Sequence, residues 1–238
     1  MSDNIFDKLA KNYFEVHRRS LSIFSNMDLN YFIRFKLDIV KSEIKKSRSS
    51  EPVNILDFGC GIGESTLYIS EIFPNSKIIG IDLSSSSIEI AKKRKIKNTQ
   101  FFSCNIINEN IDNFSFDLIF ISDVFQHIFE KDRAAVFSRL YSFLNKGGKI
   151  FIFEHNPWNP VTALIYKTTE IDNGCTMISS REFDSLIKKL NLQDIKIYPS
   201  KYLIFMPRYT FLKKIFFLEK FFQNIPIGAK YYKVIEKL

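Results

Sequence analysis

The chain has 238 residues, a formal net charge of +8, 45% hydrophobic and 25% charged residues. That length suits one α/β domain with a sizeable core, and the balance of apolar and charged residues excludes a disordered chain. Cys60, Cys104 and Cys175 form no CxxC pair, so neither a zinc site nor a disulfide scaffold is predicted, and a reducing compartment follows. Residues 1–10 lack the apolar core of a signal peptide, and no stretch approaches the roughly 20 apolar residues that span a bilayer. A cytoplasmic protein is expected. Lysines crowd the last forty residues, from Lys201 to Lys237. Such a patch attracts nucleic acid, anionic lipid or an acidic substrate, or is simply a solvated surface.

Residues 4–46 read as helical, with Phe32, Phe35, Ile39 and Ile44 at roughly helical spacing. A polar break at 47–52 ends in Pro52, and the texture then changes. Strands are predicted at 53–56, 77–81, 99–103, 116–121 and 149–153. Helices are predicted between them at 65–73, 87–94 and 131–144. Ser84–Ser86 supply N-caps, and Gly147–Gly148 are placed to end the third helix. The run 116–121 has almost no polar residue, as expected of a strand covered on both faces. A helix at 180–190, a strand within 193–203, an apolar stripe broken by lysines at 206–223 and a strand at 229–236 complete the chain. This alternation predicts a parallel sheet with helices on both faces, whose ligands bind beyond the carboxyl ends of the strands.

The first strand runs into Asp57-Phe58-Gly59-Cys60-Gly61-Ile62-Gly63. Glycines allow a tight turn and close approach of the backbone to a ligand, and the next helix aims its free N–H groups there. Asp82 closes the second strand, 19 residues after Gly63, where a carboxylate can accept from ribose hydroxyls. A dinucleotide site carries G-x-G-x-x-G. Here the pattern is G-x-G-x-G with Asp57 just ahead of it. That carboxylate would repel a pyrophosphate but suits a ligand carrying an ammonium group.

The segments Ile55–Gly63, Gly80-Ile81-Asp82, Phe116-Asp117-Leu118-Ile119 and Leu144–Lys149, in this order, resemble the class I S-adenosylmethionine-dependent methyltransferases, of the small-molecule, type 11/12-like kind. The resemblance spans about residues 50–155. It implies an α/β, Rossmann-like, doubly wound seven-stranded sheet, mostly parallel with the last strand antiparallel, and an N-terminal helical cap. Residues 1–50 would form the cap and 51–238 the methyltransferase domain, with a helical insert at 204–228. S-adenosylmethionine is the implied cofactor, with S-adenosylhomocysteine as its product. Asp57, Gly59, Cys60 and Gly61 would line its methionine half. Asp82 would hold the ribose, Leu83 would pack on adenine, and Asn105 and Ile106 would follow the third strand near the adenine. Ser122 and Asp123 would flank the sulfonium, and Tyr13 of the cap, with His17 near it, would reach the methionine end. No metal site is expected.

A methyltransferase must mainly align nucleophile, methyl carbon and sulfur, and a hydroxyl or carbon acid also needs a base. Two of the three histidines follow the fourth and fifth strands. His155 and His127 are therefore expected as bases, with Glu154 as the alternative. His155, Asn156 and Trp158 are expected at the acceptor. Each has a plain alternative: a structural histidine, a strut under the cofactor loop, or a stiff turn shaped by Pro157 and Pro160. Asn156-Pro157-Trp158 differs from the Asn-Pro-Pro-aromatic motif of nucleobase- and glutamine-directed enzymes, because it follows the fifth strand and lacks the second proline.

The turn 154–157 and the tail 225–232 resemble a subgroup of bacterial methyltransferases of glycoconjugate synthesis. The expected function is thus O-methylation of a small molecule, sugar or lipid-linked glycan. The alternatives are a quinone- or lipid-type enzyme and an RNA-directed one; no RNA-binding module is evident, so nucleic acid is not the expected partner. A peripheral membrane contact through 208–223, at the inner membrane, and a homodimer are further expectations.

Overall fold

A computed structural model describes residues 29–47, 51–108, 114–168, 175–204 and 222–238. The strands are β1 (Asn54–Phe58), β2 (Lys77–Asp82), β3 (Thr99–Ser103), β4 (Phe116–Ser122), β5 (Leu144–His155), β6 (Ile195–Ile197), β7 (Lys201–Leu203) and β8 (Lys230–Lys237). The helices are α1 (Leu29–Ser47), α2 (Glu64–Ile72), α3 (Ser85–Lys93), α4 (Glu130–Ser142), α5 (Pro160–Thr168) and α6 (Ser180–Lys189). They build one mixed sheet in the order β3-β2-β1-β4-β5-β8-β6, with β7 also on β8. The first five strands are parallel; β8 runs antiparallel to β5, β6 and β7.

Among the described residues eight strands stand where seven were expected, and the difference is one bulge. Ile197 pairs with Ile235 and Lys201 with Tyr232, so four steps along one strand match three along the other. The extra residue splits one edge strand into β6 and β7. A second irregularity corrects the reading of Gly147–Gly148. They do not end a helix, since α4 stops at Ser142. Phe116 pairs with Leu144 but Leu118 with Lys149, so residues 145–148 bulge out of β5, and Gly147 takes the φ of +72° that the turn requires. The stretch after Pro157 also holds more than a turn. Pro160 opens α5, a position where its missing N–H removes nothing. Asn159 caps that helix by accepting from Thr162 N at 2.9 Å.

Alternation along β4 and β5 explains the two-sided core. Leu118, Phe120, Phe151 and Phe153 face α1 and α2 and pack with Leu37, Val40, Tyr68 and Ile69. Ile119, Ile121, Ile150 and Ile152 face the other way and pack with Phe137, Leu140 and Phe183 of α4 and α6. Successive side chains of a strand point to opposite faces, so a run apolar at nearly every position needs helices on both sides.

α1 is the described part of the expected cap. It lies on α2, with the Arg34 guanidinium 4.7 Å from the Tyr68 ring centre. Tyr13 and His17 lie outside the described residues, as do 205–221, which hold most of the expected insert and of the segment expected at a membrane. Among the described residues no helix is long and apolar enough to cross a membrane.

Gly59 joins this framework to the glycine loop. Its φ is +75°, and a Cβ there would stand 2.3 Å from Val124 Cγ2 of the segment after β4. Replacing it with alanine combines left-handed strain with overlap, so Gly59→Ala is expected to destabilise the fold by about 2–4 kcal/mol in denaturant titrations.

Candidate active site

Five parallel strands put their carboxyl ends at one edge of the sheet. Because β8 is antiparallel, its first residue, Lys230, pairs with His155 at that same edge. Residues distant in sequence therefore meet there in two groups.

The first group lies beyond β1 and β2. Gly59 N and Cys60 N both donate to Ile81 O, at 2.7 and 3.0 Å, which fastens the glycine loop to the end of β2. Asp82 accepts from Gly61 N at 2.8 Å and from Ser84 N at 2.9 Å. Gly61 has φ +52°, and a Cβ built there would meet nothing within 4 Å, so the backbone faces room for a ligand. Leu83 is exposed beside it, while Cys60 and Ile106 are buried. Asn105 accepts from Ile107 N within its own turn, at 3.1 Å.

Asp57 is 2% exposed. Its carboxylate accepts from Ser65 Oγ at 2.7 Å and Thr66 Oγ1 at 2.6 Å, which ties down the first turn of α2. Burial pushes its pKa up to about 6, and the nearby Asp82 adds to the rise. Among the described residues no lysine, arginine or histidine forms an ion pair with it. A buried carboxylate that, among the described residues, is held by hydroxyls is suited to a cationic ligand.

The second group lies beyond β4 and β5. Asp123 has φ +61°. Lys36 of α1 donates to Asp123 Oδ2 at 2.8 Å and to Ser122 Oγ at 2.6 Å. Lys230 donates to Asp123 Oδ1. His155 Nε2 lies 3.5 Å from Asp123 Oδ1 and 3.1 Å from Lys230 Nζ. Although burial opposes ionisation of Asp123, its two lysines hold its pKa well below the usual carboxylate range. Burial, then the Lys230 charge, push the His155 pKa down to about 3.

The remaining expected residues brace this edge. Glu154 is 1% exposed, and its Oε1 accepts from Val124 N and Phe125 N at 3.0 and 2.8 Å. It thereby fixes the short 3-10 turn Phe125–His127 that follows β4. Burial and the Asp123 charge push its pKa up to about 8, so it is mostly a neutral acid at pH 7. His127 sits on that turn with Nδ1 3.0 Å from Cys175 Sγ. Asn156 is buried; its amide donates to Pro226 O and Gly228 O and its carbonyl accepts from Trp158 N. Trp158 is exposed, under the Arg181 guanidinium at 4.8 Å. The structure thus brings Ser122, Asp123 and His155 together, and Asp57, Gly59, Gly61 and Asp82 together. His127 pairs instead with Cys175.

Sequence reasoning missed Lys36 and Lys230. The first had a signal: it falls on the apolar face of α1, four residues from Phe32 and Val40, where a charge is anomalous. The second had none before β5 and β8 were paired.

A methyltransferase-domain family model matches residues 56–150, from β1 into β5. Over these residues the chain is similar to the class I S-adenosylmethionine-dependent methyltransferases. It is 39% identical over 114 residues to malonyl-[acyl-carrier protein] O-methyltransferase 1 of Ilyobacter polytropus, covering 46% of this chain and 41% of that protein. It is 31% identical over 122 residues to phosphoethanolamine N-methyltransferase 1 of Arabidopsis thaliana, covering 50% and 24%. The matches thus span less than half the length of these relatives. Among solved structures, the plantazolicin methyltransferase BpumL in complex with S-adenosylhomocysteine superposes with a TM-score of 0.69 at 22% identity, over 98% of this chain and 96% of that one.

The residues at this edge fit S-adenosylmethionine. Asp57 would face the ammonium, the open backbone at Gly61 the methionine half, and Asp82 the ribose. The sign of the Asp57 shift gives a test. A raised carboxylate pKa stabilises the ligand-free fold at low pH, and that contribution is lost as pH rises through about 6. Affinity for a cationic amino-acid ligand runs the other way, because it needs the carboxylate ionised. Calorimetry is expected to show S-adenosylhomocysteine binding tighten between pH 5 and 7 and then level. Asp57→Asn is expected to flatten that profile and weaken binding at pH 7 about tenfold.

Proposed function

We propose that this methyltransferase transfers the methyl group of S-adenosylmethionine to an oxygen of a small-molecule acceptor seated over the ends of β4 and β5 and the start of β8. The cofactor supplies an electrophilic methyl carbon bonded to a sulfonium. The chain supplies alignment and an enclosed, charged floor. The observation that carries this reading is the division of the sheet edge: an acidic, glycine-rich half beyond β1 and β2, and a lysine-bearing half beyond β4, β5 and β8.

Oxygen as the methylated atom is supported by the relative of higher identity, named an O-methyltransferase, and by the state of the bases. His155 has its pKa lowered to about 3 and Nε2 beside Lys230, His127 is engaged with Cys175, and Glu154 holds two backbone amides. These groups suit an acceptor oxygen that requires no strong base. A sugar or lipid-linked glycan acceptor is the finer form of the proposal. Its support is that the two stretches resembling glycoconjugate enzymes touch: Asn156 donates to Pro226 O and Gly228 O, and His155 pairs with Lys230.

Methyl-labelled cofactor incubated with fractionated pools of small acids and sugars is expected to label an oxygen, read as a methyl ester or ether by NMR. Labelling of nitrogen alone, or no transfer by protein that binds S-adenosylhomocysteine, would contradict the reading. In the same assay Asp82→Ala is expected to weaken cofactor binding about tenfold or more, by removing a charge-assisted acceptor.

A further inference from the structure

The lysine-bearing half holds more positive charge than its own carboxylate balances. Lys36 and Lys230 have side chains only 5% and 12% exposed, yet among the described residues they share a single ion-pair partner, Asp123. Glu154 does not make up the difference, since burial keeps it mostly protonated, and His155 is neutral. Crowding is evident at Lys230 itself, whose pKa is lowered to about 8 by burial first, with Lys36 adding to the fall. Two buried ammonium groups on one carboxylate leave about one positive charge in a place where unpaired charge costs several kcal/mol.

The donor inventory agrees. An ammonium group has three N–H donors. Lys36 directs two, to Ser122 Oγ and Asp123 Oδ2. Lys230 directs two, to Asp123 Oδ1 and His155 Nε2. Among the described residues, each therefore keeps one further donor. The cluster opens at one end, where the Asp123 and His155 side chains are 28% and 26% exposed.

We infer that Lys36 and Lys230 form an oxyanion-binding subsite that receives a carboxylate or phosphate group of the methyl acceptor. The inference rests on the methyl-transfer reading. An oxyanion here completes the charge balance with its full charge, takes one donor from each lysine, and needs no protonated histidine. The carboxylate of the cofactor's own amino acid has the same chemistry and could reach the same donors. The topology favours the acceptor: Lys36, Ser122, Asp123, His155 and Lys230 come from α1 and the ends of β4, β5 and β8, whereas the acidic cofactor residues lie at β1 and β2.

Isothermal titration of inorganic phosphate, and separately of malonate, into protein saturated with S-adenosylhomocysteine separates these cases at constant ionic strength. Saturable binding of at least one anion is expected, weakened about tenfold or more by Lys36→Gln and by Lys230→Gln, with S-adenosylhomocysteine affinity changed less than about threefold. Circular dichroism would confirm that each variant folds. The parent protein gives a check that needs no variant: phosphate or malonate should raise its melting temperature above that in chloride of equal ionic strength. The inference is overturned if neither anion binds or stabilises the saturated parent. It is also overturned if the lysine variants weaken S-adenosylhomocysteine tenfold and leave the anion unaffected, for the lysines would then hold the cofactor's carboxylate. Protein that binds neither S-adenosylhomocysteine nor anion overturns the methyl-transfer reading itself, a separate failure.

Discussion

Carboxylates at the ends of buried parallel strands need compensating charge from elsewhere, and this protein compensates its own unequally. Asp57 is buried with hydroxyl partners and a second carboxylate nearby. Asp123, just past the end of the neighbouring strand, takes two lysines. A low-dielectric edge magnifies both departures from neutrality. One half is left suited to a cation and the other to an anion, along the line on which a sulfonium donor and an acidic acceptor would meet. The sheet enforces the arrangement. Parallel strands bring Asp57, Asp82, Asp123 and His155 to one edge, and the single antiparallel strand returns Lys230 to it.

Much of this architecture is legible in the sequence because local and global signals agree there. The run 116–121 is apolar except at Asp117, and the folded strand is buried on both faces. Ser84 was readable as a cap and does accept from Ser87 N. The departures have physical causes. Gly147 resembles a helix terminator but serves a bulge inside β5, because the same positive φ satisfies either turn. The broken β6–β7 edge depends on a register set by β8, about thirty residues further on, which no local pattern encodes.

The site was legible in proportion to how much of it is backbone. The glycine loop and Asp82 are read from a motif, since turn geometry dictates the residue types. Side chains that answer to tertiary neighbours were harder. Glu154 and Asn156 sit at the right edge, yet their polar atoms bind backbone amides and carbonyls of adjacent segments. Lys36 and Lys230, nearly 200 residues apart in sequence, acquire meaning only once the cap helix and the antiparallel strand both approach Asp123.

Asp57 is a buried carboxylate with no counter-cation among the described residues, and carboxyl carbon NMR of the selectively labelled protein tests this directly. The predicted result is a titration near pH 6 for Asp57 in the ligand-free protein, moving below the ordinary carboxylate range once S-adenosylhomocysteine is bound. A ligand-free value already at or below that range, or one that the ligand does not move, would contradict it.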